Sequence, residues 1–304
     1  MSSGMTRSAA LLASLAIAQF AICPHVFAEG LKVISDQAHK GFAFPESVAC
    51  DAQAKVLYVS QFGSELKPTK KDGKGFISKV SLSGEMLEQR FLPGSGEVLN
   101  KPKGIWVEDG KLWVTDIDVV WEFDLQTRTG KNVALPGVKF ANDPTVRGNE
   151  LFVSDNRGDQ LYRVEPADFA AMTGDPEVTV VSSGESVNPN GVFPARDGSI
   201  LMVGFRSADQ ARGIYFLEAG GDLKTLASKL GRLDGVHQLD DGSLLITDWN
   251  SGSLGRWTAK TGMETLATGF KGPADFCVLP DNGELLVAVP DLVKSELRLI
   301  RLTK

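Results

Sequence analysis

From residue 30 onward, apolar positions recur in short runs that read as strands. The runs are "KVLYVSQ" (55–61), "KLWVTDI" (111–117), "ELFVSDN" (150–156), "SILMVGF" (199–205), "SLLITDW" (243–249) and "ELLVAVP" (284–290). All are rich in β-branched, aromatic and aliphatic residues, the side chains that fit a pleated, half-buried surface. A tight-turn signal precedes each of them: "DAQA", "EDG", "RGN", "ARDG", "DDG" and "PDNG". Gly or Asn in such turns supplies the positive φ that a hairpin needs. One stretch after residue 30 carries a helical pattern, "EPADFAAM" (165–172), and it is short.

The strand-turn-strand phrases repeat. Aligned starts fall at Glu46, Lys103, Asn142, Asn190, Asp234 and Asp275, separated by 57, 39, 48, 44 and 41 residues. A four-stranded propeller blade occupies about 40–45 residues. Two further strands fit in each interval, for example "FISKVSL" with "EQRFLP" and "GIYFLE" with "KTLAS". The last unit offers three strands, "ADFCVLP", "ELLVAVP" and "LRLIRLT", and a fourth is available far upstream in "GLKVISD" (30–36). The expected fold is therefore all-β. It is a six-bladed β-propeller with four antiparallel strands per blade, occupying 29–304, its last blade closed by the N-terminal strand. Such closure leaves no free sheet edge between the chain ends. A β-sandwich accommodates six similar units less well.

Four of the six aligned positions carry a side-chain oxygen at the start of an innermost strand: Glu46, Asn142, Asn190 and Asp234. In a propeller these starts ring the central axis on one face, whatever their separation along the chain. "NG" and "DG" taken singly are ordinary turn formers. Glu46 is not a turn former, however, and Asn142 is followed by Asp143-Pro144 and not by glycine. Two carboxylates and two amides form an oxygen ligand set suited to a hard divalent cation, Ca²⁺ first, with Zn²⁺, Mn²⁺ or Mg²⁺ as alternatives.

These phrases resemble those of the senescence-marker-protein/gluconolactonase/luciferin-regenerating-enzyme family, with a more distant likeness to paraoxonases. The resemblance implies a propeller with one central divalent metal held by Glu46, Asn190 and Asp234, with Asn142 at the metal or its waters. It further implies a lactonase or related ester hydrolase acting on a small molecule, with Asp234 as catalytic base. Two features depart from the family pattern: Pro45 precedes Glu46 with Ser47 after it, and Lys103 in "KPKGIW" gives the second blade an NHL-type character. The second supports the alternative of a non-catalytic, NHL-like propeller that binds a protein or small-molecule partner.

Other candidates surround this set. Lys103, Arg206, Arg212 and His237 are candidate substrate-binding residues; the spacing of His237 from Asp234 also allows a packed histidine on the other strand face. The long loop 62–75, with four lysines, reads either as a lid or as a solvated hairpin. Asp116, Asp155 and Asp248 end second strands and read as turn-binding carboxylates. No G-x-S-x-G elbow or phosphate loop is present.

Composition narrows the partners. The 304 residues carry a formal charge of −6 without a basic block, so no nucleic-acid partner is expected. Arg7, the apolar run "SAALLASLAIAQFAI" and Val26-Phe27-Ala28 read as a signal peptide over 1–28, hence export to a periplasm or the outside. No membrane span is expected, since no apolar run is long enough. Beyond that segment the cysteines are Cys50 and Cys277, on the innermost strands of the first and sixth blades. Two buried thiols are expected; a disulfide giving the ring a second closure is the alternative.

Overall fold

The computed structural model describes residues 1, 30–207 and 209–303. The signal-peptide reading falls outside these residues. Leu31–Lys304 forms one compact unit.

That unit is a six-bladed propeller of four-stranded antiparallel sheets. The first strand, β1 (Lys32–His39), belongs to the last blade. Blade one follows, with β2 (Pro45–Asp51), β3 (Val56–Gln61), β4 (Phe76–Ser81) and β5 (Met86–Leu92). Blade two comprises β6 (Pro102–Glu108), β7 (Lys111–Asp116), β8 (Val119–Asp124) and β9 (Gly130–Ala134). Blade three comprises β10 (Ala141–Arg147), β11 (Glu150–Asp155), β12 (Gln160–Glu165) and β13 (Glu177–Ser183). Blade four comprises β14 (Pro189–Pro194), β15 (Ile200–Gly204), β16 (Arg212–Leu217) and β17 (Leu223–Gly231). Blade five comprises β18 (Leu233–Gln238), β19 (Leu244–Asp248), β20 (Ser253–Thr258) and β21 (Gly262–Ala267). Blade six is β22 (Cys277–Asp281), β23 (Glu284–Asp291) and β24 (Glu296–Thr303), with β1 paired outside β24. The N-terminal strand thus closes the ring as expected.

The core lies between blades and not at one centre. Buried apolar clusters join each pair of neighbours: Tyr58 and Ile77 with Leu112 across blades one and two, Val114's neighbour Trp113 with Val153 across two and three, and so on round to Val59 with Leu286 across one and six. Hairpins within blades use the turn chemistry read above. In blades four and five, Gly198 and Gly242 take φ 83° and 81°, and Asp197 and Asp241 accept the backbone N–H of Ser199 and Ser243 at 2.9 Å.

Residues 165–172 do not form the expected helix. Their backbone donors are used elsewhere: Glu122 Oε2 accepts the N–H of Phe169 at 2.6 Å and of Ala170 at 2.8 Å, and Phe169 is buried. A buried carboxylate and an anchored aromatic ring hold this bend- and turn-rich β12–β13 connection against blade two.

Cys50 and Cys277 form a disulfide, Cα–Cα 5.7 Å, which corrects the expectation of two thiols. The inner strands β2 and β22 become neighbours once the ring closes, and the two cysteines share one apolar layer with Val48 and Leu279. Cross-links of this kind contribute about 2–4 kcal/mol. Reduction, or paired Cys50→Ser and Cys277→Ser substitution, is expected to lower Tm by about 4–8 °C without loss of the fold. Thermal unfolding with and without reductant measures it.

Candidate functional site

Each candidate ligand sits where an inner strand loses register with its neighbour. The β2–β3 pairing shifts between Pro45 and Ser47, at Glu46. The β10–β11 pairing shifts between Ala141 and Pro144, at Asn142. The same break falls at Asn190 in β14 and at Asp234 in β18. A bulge leaves a residue out of the ladder and re-aims its side chain, so a residue that a regular strand would point into a blade faces the channel. The backbone donors released by the bulges are taken by hydroxyls of the second strands: Ser60 accepts from Ser47 N–H at 2.9 Å, Ser154 from Asp143 N–H at 2.9 Å and Thr247 from Gly235 N–H at 2.8 Å. Two of these hydroxyls also donate onward to the next blade, Ser154 to the Asn190 carbonyl at 2.6 Å and Thr247 to the Ala274 carbonyl at 3.0 Å.

The aspartates that follow Thr115, Ser154 and Thr247 do a separate job. Asp116 accepts the N–H of Asn100 and of Lys101 at 2.7 Å, and Asp155 those of Lys139 at 2.7 Å and Phe140 at 2.9 Å. Asp248 accepts from Arg232 N–H at 3.0 Å. In blades three and five the Ser154-Asp155 and Thr247-Asp248 pairs therefore fix both the bulge and the segment leading into the inner strand.

Glu46, Asn142, Asn190 and Asp234 line one cavity of about 620 Å³. All four are buried. Glu46 Oε2, Asn142 Oδ1 and Asn190 Oδ1 have no hydrogen-bond partner. Asp234 Oδ2 accepts the Trp249 indole N–H at 2.7 Å, and the Asn190 side chain also hydrogen-bonds Asp234. Buried polar atoms normally find partners, so three orphaned acceptors on one cavity wall call for an electropositive ligand. This donor set contains two carboxylates; among the described residues no group of three or more His, Cys, Asp or Glu is arranged to hold a metal. The amide oxygens complete the set, as hard-cation chemistry permits.

Two more acids lie behind the bulges. Asp275 Oδ2 accepts from Ser47 Oγ at 2.6 Å, and Asp143 Oδ2 accepts from Val192 N–H at 2.8 Å. Burial, reinforced by neighbouring carboxylates, raises Glu46 and Asp143 well above the usual range. Burial and Asp275 push Asp234 up to about 8, and burial pushes Asp275 up to about 6. The protein alone thus holds more negative charge at this point than its surroundings stabilise.

The candidate substrate residues separate. Arg206 lines the cavity. Lys103 is fully buried behind it, its ammonium 4.3 Å from the centre of the Phe140 ring and 3.4 Å from the Lys101 carbonyl. Burial brings Lys103 down to about 8 against the opposing pull of Asp116 and Glu46. Arg212 is turned away from the cavity and donates from Nε to Asn188 Oδ1 at 2.8 Å. His237 lies toward the far ends of the same inner strands, where it lines a second cavity of about 230 Å³ with Trp106, Phe193 and Asp275. Its ring is 4.4 Å from that of Phe193. Strand parity had separated it from Asp234.

Loop 62–75 contributes to the cavity through Phe62, Leu66 and Pro68, not through its lysines. Lys67 pairs with Glu65 at 2.9 Å and Lys71 with Asp118 at 2.6 Å, while buried Lys101 ties the loop down through Asp72 at 3.1 Å. Sequence reasoning missed Arg157, Arg232, Phe205 and Trp249 on the same wall. Their signal is positional: Arg157 and Trp249 stand just past second-strand aspartates, and Arg232 stands two residues ahead of Asp234.

Burial lowers the pKa of His237 to about 4. A folded-state value below the ordinary one of about 6.5 means the unfolded chain binds the proton more tightly. The stabilisation is therefore complete well above pH 6.5 and declines as pH falls through 4, by roughly 3 kcal/mol in all. Denaturant unfolding across that window is expected to show the decline, and His237→Phe to flatten it.

The chain has the fold of six-bladed propellers, and solved structures of this fold superpose on it. A proposed gluconolactonase superposes with a TM-score of 0.65 at 14 % identity, covering 90 % of this chain and 94 % of the other. A catalytically inactive histidine-to-alanine variant of virginiamycin B lyase from Staphylococcus aureus, solved with quinupristin, superposes at 0.56 with 14 % identity, covering 89 % and 100 %. A streptogramin B lyase gives 0.54 at 15 % identity, covering 88 % and 98 %. At such identities the likeness is one of fold. No protein-family model matches the sequence, and no curated protein matches it.

Proposed function

We propose that the protein is a divalent-metal-dependent hydrolase of lactones or related esters. The observation that carries this reading is the set of orphaned buried oxygens, Glu46 Oε2, Asn142 Oδ1 and Asn190 Oδ1, beside the Asp234 carboxylate in one cavity. Glu46, Asn142, Asn190 and Asp234 would hold the ion, and an all-oxygen set favours Ca²⁺, with Mn²⁺, Mg²⁺ or Zn²⁺ as competitors. A hard dication bound there supplies Lewis-acid polarisation of an ester carbonyl and compensates the oxyanion that develops on it.

The chain's own residues do the rest. Trp249 fixes Asp234 by its indole N–H, and Asp234 would accept the proton of the attacking water. Water oxygen bonds to the acyl carbon, the bond from that carbon to the alkoxy oxygen breaks, and the proton goes to the leaving oxygen. A carboxylic acid and an alcohol result, and the acid releases the water's second proton to solvent. Phe62, Phe140, Phe205 and Trp249 give the wall apolar surface for the carbon skeleton of a substrate, between its polar groups. The lyase neighbours suggest rival chemistry, in which a histidine is essential to one of them. Among the described residues no histidine lines this cavity. The docking alternative draws less support, because Lys103, which sets the second blade apart, is buried. The Cys50–Cys277 disulfide supports the proposed export, since such bonds persist in oxidising compartments.

The deciding experiment is pH-stat hydrolysis of gluconolactone, γ-butyrolactone and phenyl acetate after EDTA treatment, then with each cation restored. Turnover that requires a cation and is lost in Asp234→Ala is expected. Equal rates in EDTA, or no turnover of any ester with any cation, would sink the reading.

A further inference from the structure

Three arginines stand over the candidate metal site. Arg157, Arg206 and Arg232 line the same cavity as Glu46 and Asp234. Two are seated on aromatic faces: Arg157 lies 4.0 Å from the Phe140 ring centre, and Arg232 lies 4.6 Å from that of Phe205 and 5.6 Å from that of Trp249. Stacking holds a guanidinium by its face and leaves its N–H edge available. Arg232 Nε donates to the Arg206 carbonyl at 2.9 Å, which ties two of the three together. Arg206 Nε makes a long contact, 3.4 Å, to Gln210 Oε1.

Among the described residues none of the three meets a carboxylate, whereas Arg128, Arg256, Arg298 and Arg301 each do. The chain has 38 acidic residues against 32 basic, so acidic partners are not scarce. The acids of this cavity lie among the candidate metal ligands, where a dication would balance Glu46 and Asp234. Arg232 offsets part of the Asp234 charge; with a dication taking that role, the positive charge of the three guanidiniums would have no other counter-charge at the cavity wall. A neutral polyol would compensate none of it; a group with oxygen acceptors and a negative charge would accept two N–H bonds from a fork.

We propose that this cavity selects substrates bearing an anionic oxygen group, a carboxylate or phosphate remote from the reacting carbonyl, through Arg157, Arg206 and Arg232. The inference rests on the proposed use of this cavity as the substrate site and adds the substrate class.

The test is calorimetric titration of the cation-loaded protein with glutarate, glycerol phosphate and the neutral glutaramide. It is run on the wild type, on Arg157→Gln, Arg206→Gln and Arg232→Gln, and on the triple variant, each first shown to unfold at the wild-type temperature. At least one anion is expected to bind saturably, and glutaramide roughly tenfold or more weakly. The preference should fall in each single variant and vanish in the triple. Whether glutarate or glycerol phosphate binds more tightly distinguishes the carboxylate from the phosphate. Equal binding of glutaramide, an anion preference that survives in the triple variant, or no binding of either anion would overturn the proposal. The two readings fail separately. Metal-dependent hydrolysis of neutral lactones without anion preference removes this one alone. Arginine-dependent anion binding without ester turnover removes the hydrolase alone.

Discussion

Glu46→Gln is expected to make the protein more stable in EDTA and unresponsive to added cation. The two effects have one cause. Burial and Asp234 raise Glu46 well above the ordinary carboxylate range, so at neutral pH folding must either protonate the side chain or retain its charge without a partner. A folded pKa above the unfolded one gives a contribution that is intact below the unfolded value, about 4.3, and is lost as pH rises. For Asp234 the loss runs up to about 8. The neutral isostere removes the Glu46 part, a gain in stability at pH 7. The same substitution replaces a carboxylate ligand, and its effect on cation affinity should exceed the roughly 10–100-fold seen when an outer partner of a metal ligand is lost. In the wild type a bound cation stabilises by mass action, about 2.7 kcal/mol at a hundredfold excess over Kd. That gain should grow from pH 5 to pH 8 as the carboxylates deprotonate. Thermal unfolding of both proteins at several pH values, with EDTA and with Ca²⁺ or Mn²⁺, measures every part of this. A wild-type Tm that ignores all cations would remove the proposed metal site, and a Glu46→Gln variant that still responds would remove Glu46 from it.

The same comparison explains how much of the site was legible. Glu46, Asn142, Asn190 and Asp234 could be aligned because each opens an inner strand, and the propeller's rotation brings such positions to one cavity. The bulges that aim them could not be read, since a register shift leaves no mark in a pattern of alternating residues. The hydroxyls of Ser60, Ser154 and Thr247 that satisfy those bulges were in view, but only the neighbouring aspartates were read as structural. Arg157, Arg232 and Trp249 lie at offsets of one or two residues from repeat positions, outside the strands, where residue type follows no shared pattern. The choice between thiols and disulfide depended on ring closure: parity placed Cys50 and Cys277 on matching faces, while their approach to 5.7 Å is set by β2 and β22 meeting in space. Lys103 was aligned correctly at an inner strand, yet its ammonium is packed against Phe140. Alignment gives a residue's place on a strand, not the direction a long flexible side chain takes.

Removing β1 by deleting residues 30–40 is expected to abolish cooperative folding of the monomer. The strand's own side chains are mostly exposed, so its contribution is not chiefly burial. It pairs with β24 from Lys32–Thr303 to His39–Leu297, and backbone bonds contribute about 1 kcal/mol each when made within a sheet. Asp36 takes two bonds from the Arg298 guanidinium, Nε at 2.9 Å and Nη2. Arg298 also stacks 3.8 Å from the Phe270 ring centre and donates to the Thr268 carbonyl at 2.8 Å. Without β1 this cation would lose its counter-charge and gain water in its place, so the loss is that of a charge-assisted hydrogen-bonded pair, about 1–3 kcal/mol. Leu31, buried beside Ile300 and Leu302, would be lost as well. Together these losses approach the whole stability of a typical domain, about 5–15 kcal/mol. The bared β24 would also present a free edge to other copies. The milder Asp36→Asn keeps the strand and weakens only the ion pair, and it is expected to remain folded with a lowered Tm. Size-exclusion chromatography and thermal unfolding of the two variants check this. A truncated chain that unfolds cooperatively as a monomer at the wild-type temperature would show that the disulfide and the inter-blade layers close the ring without β1.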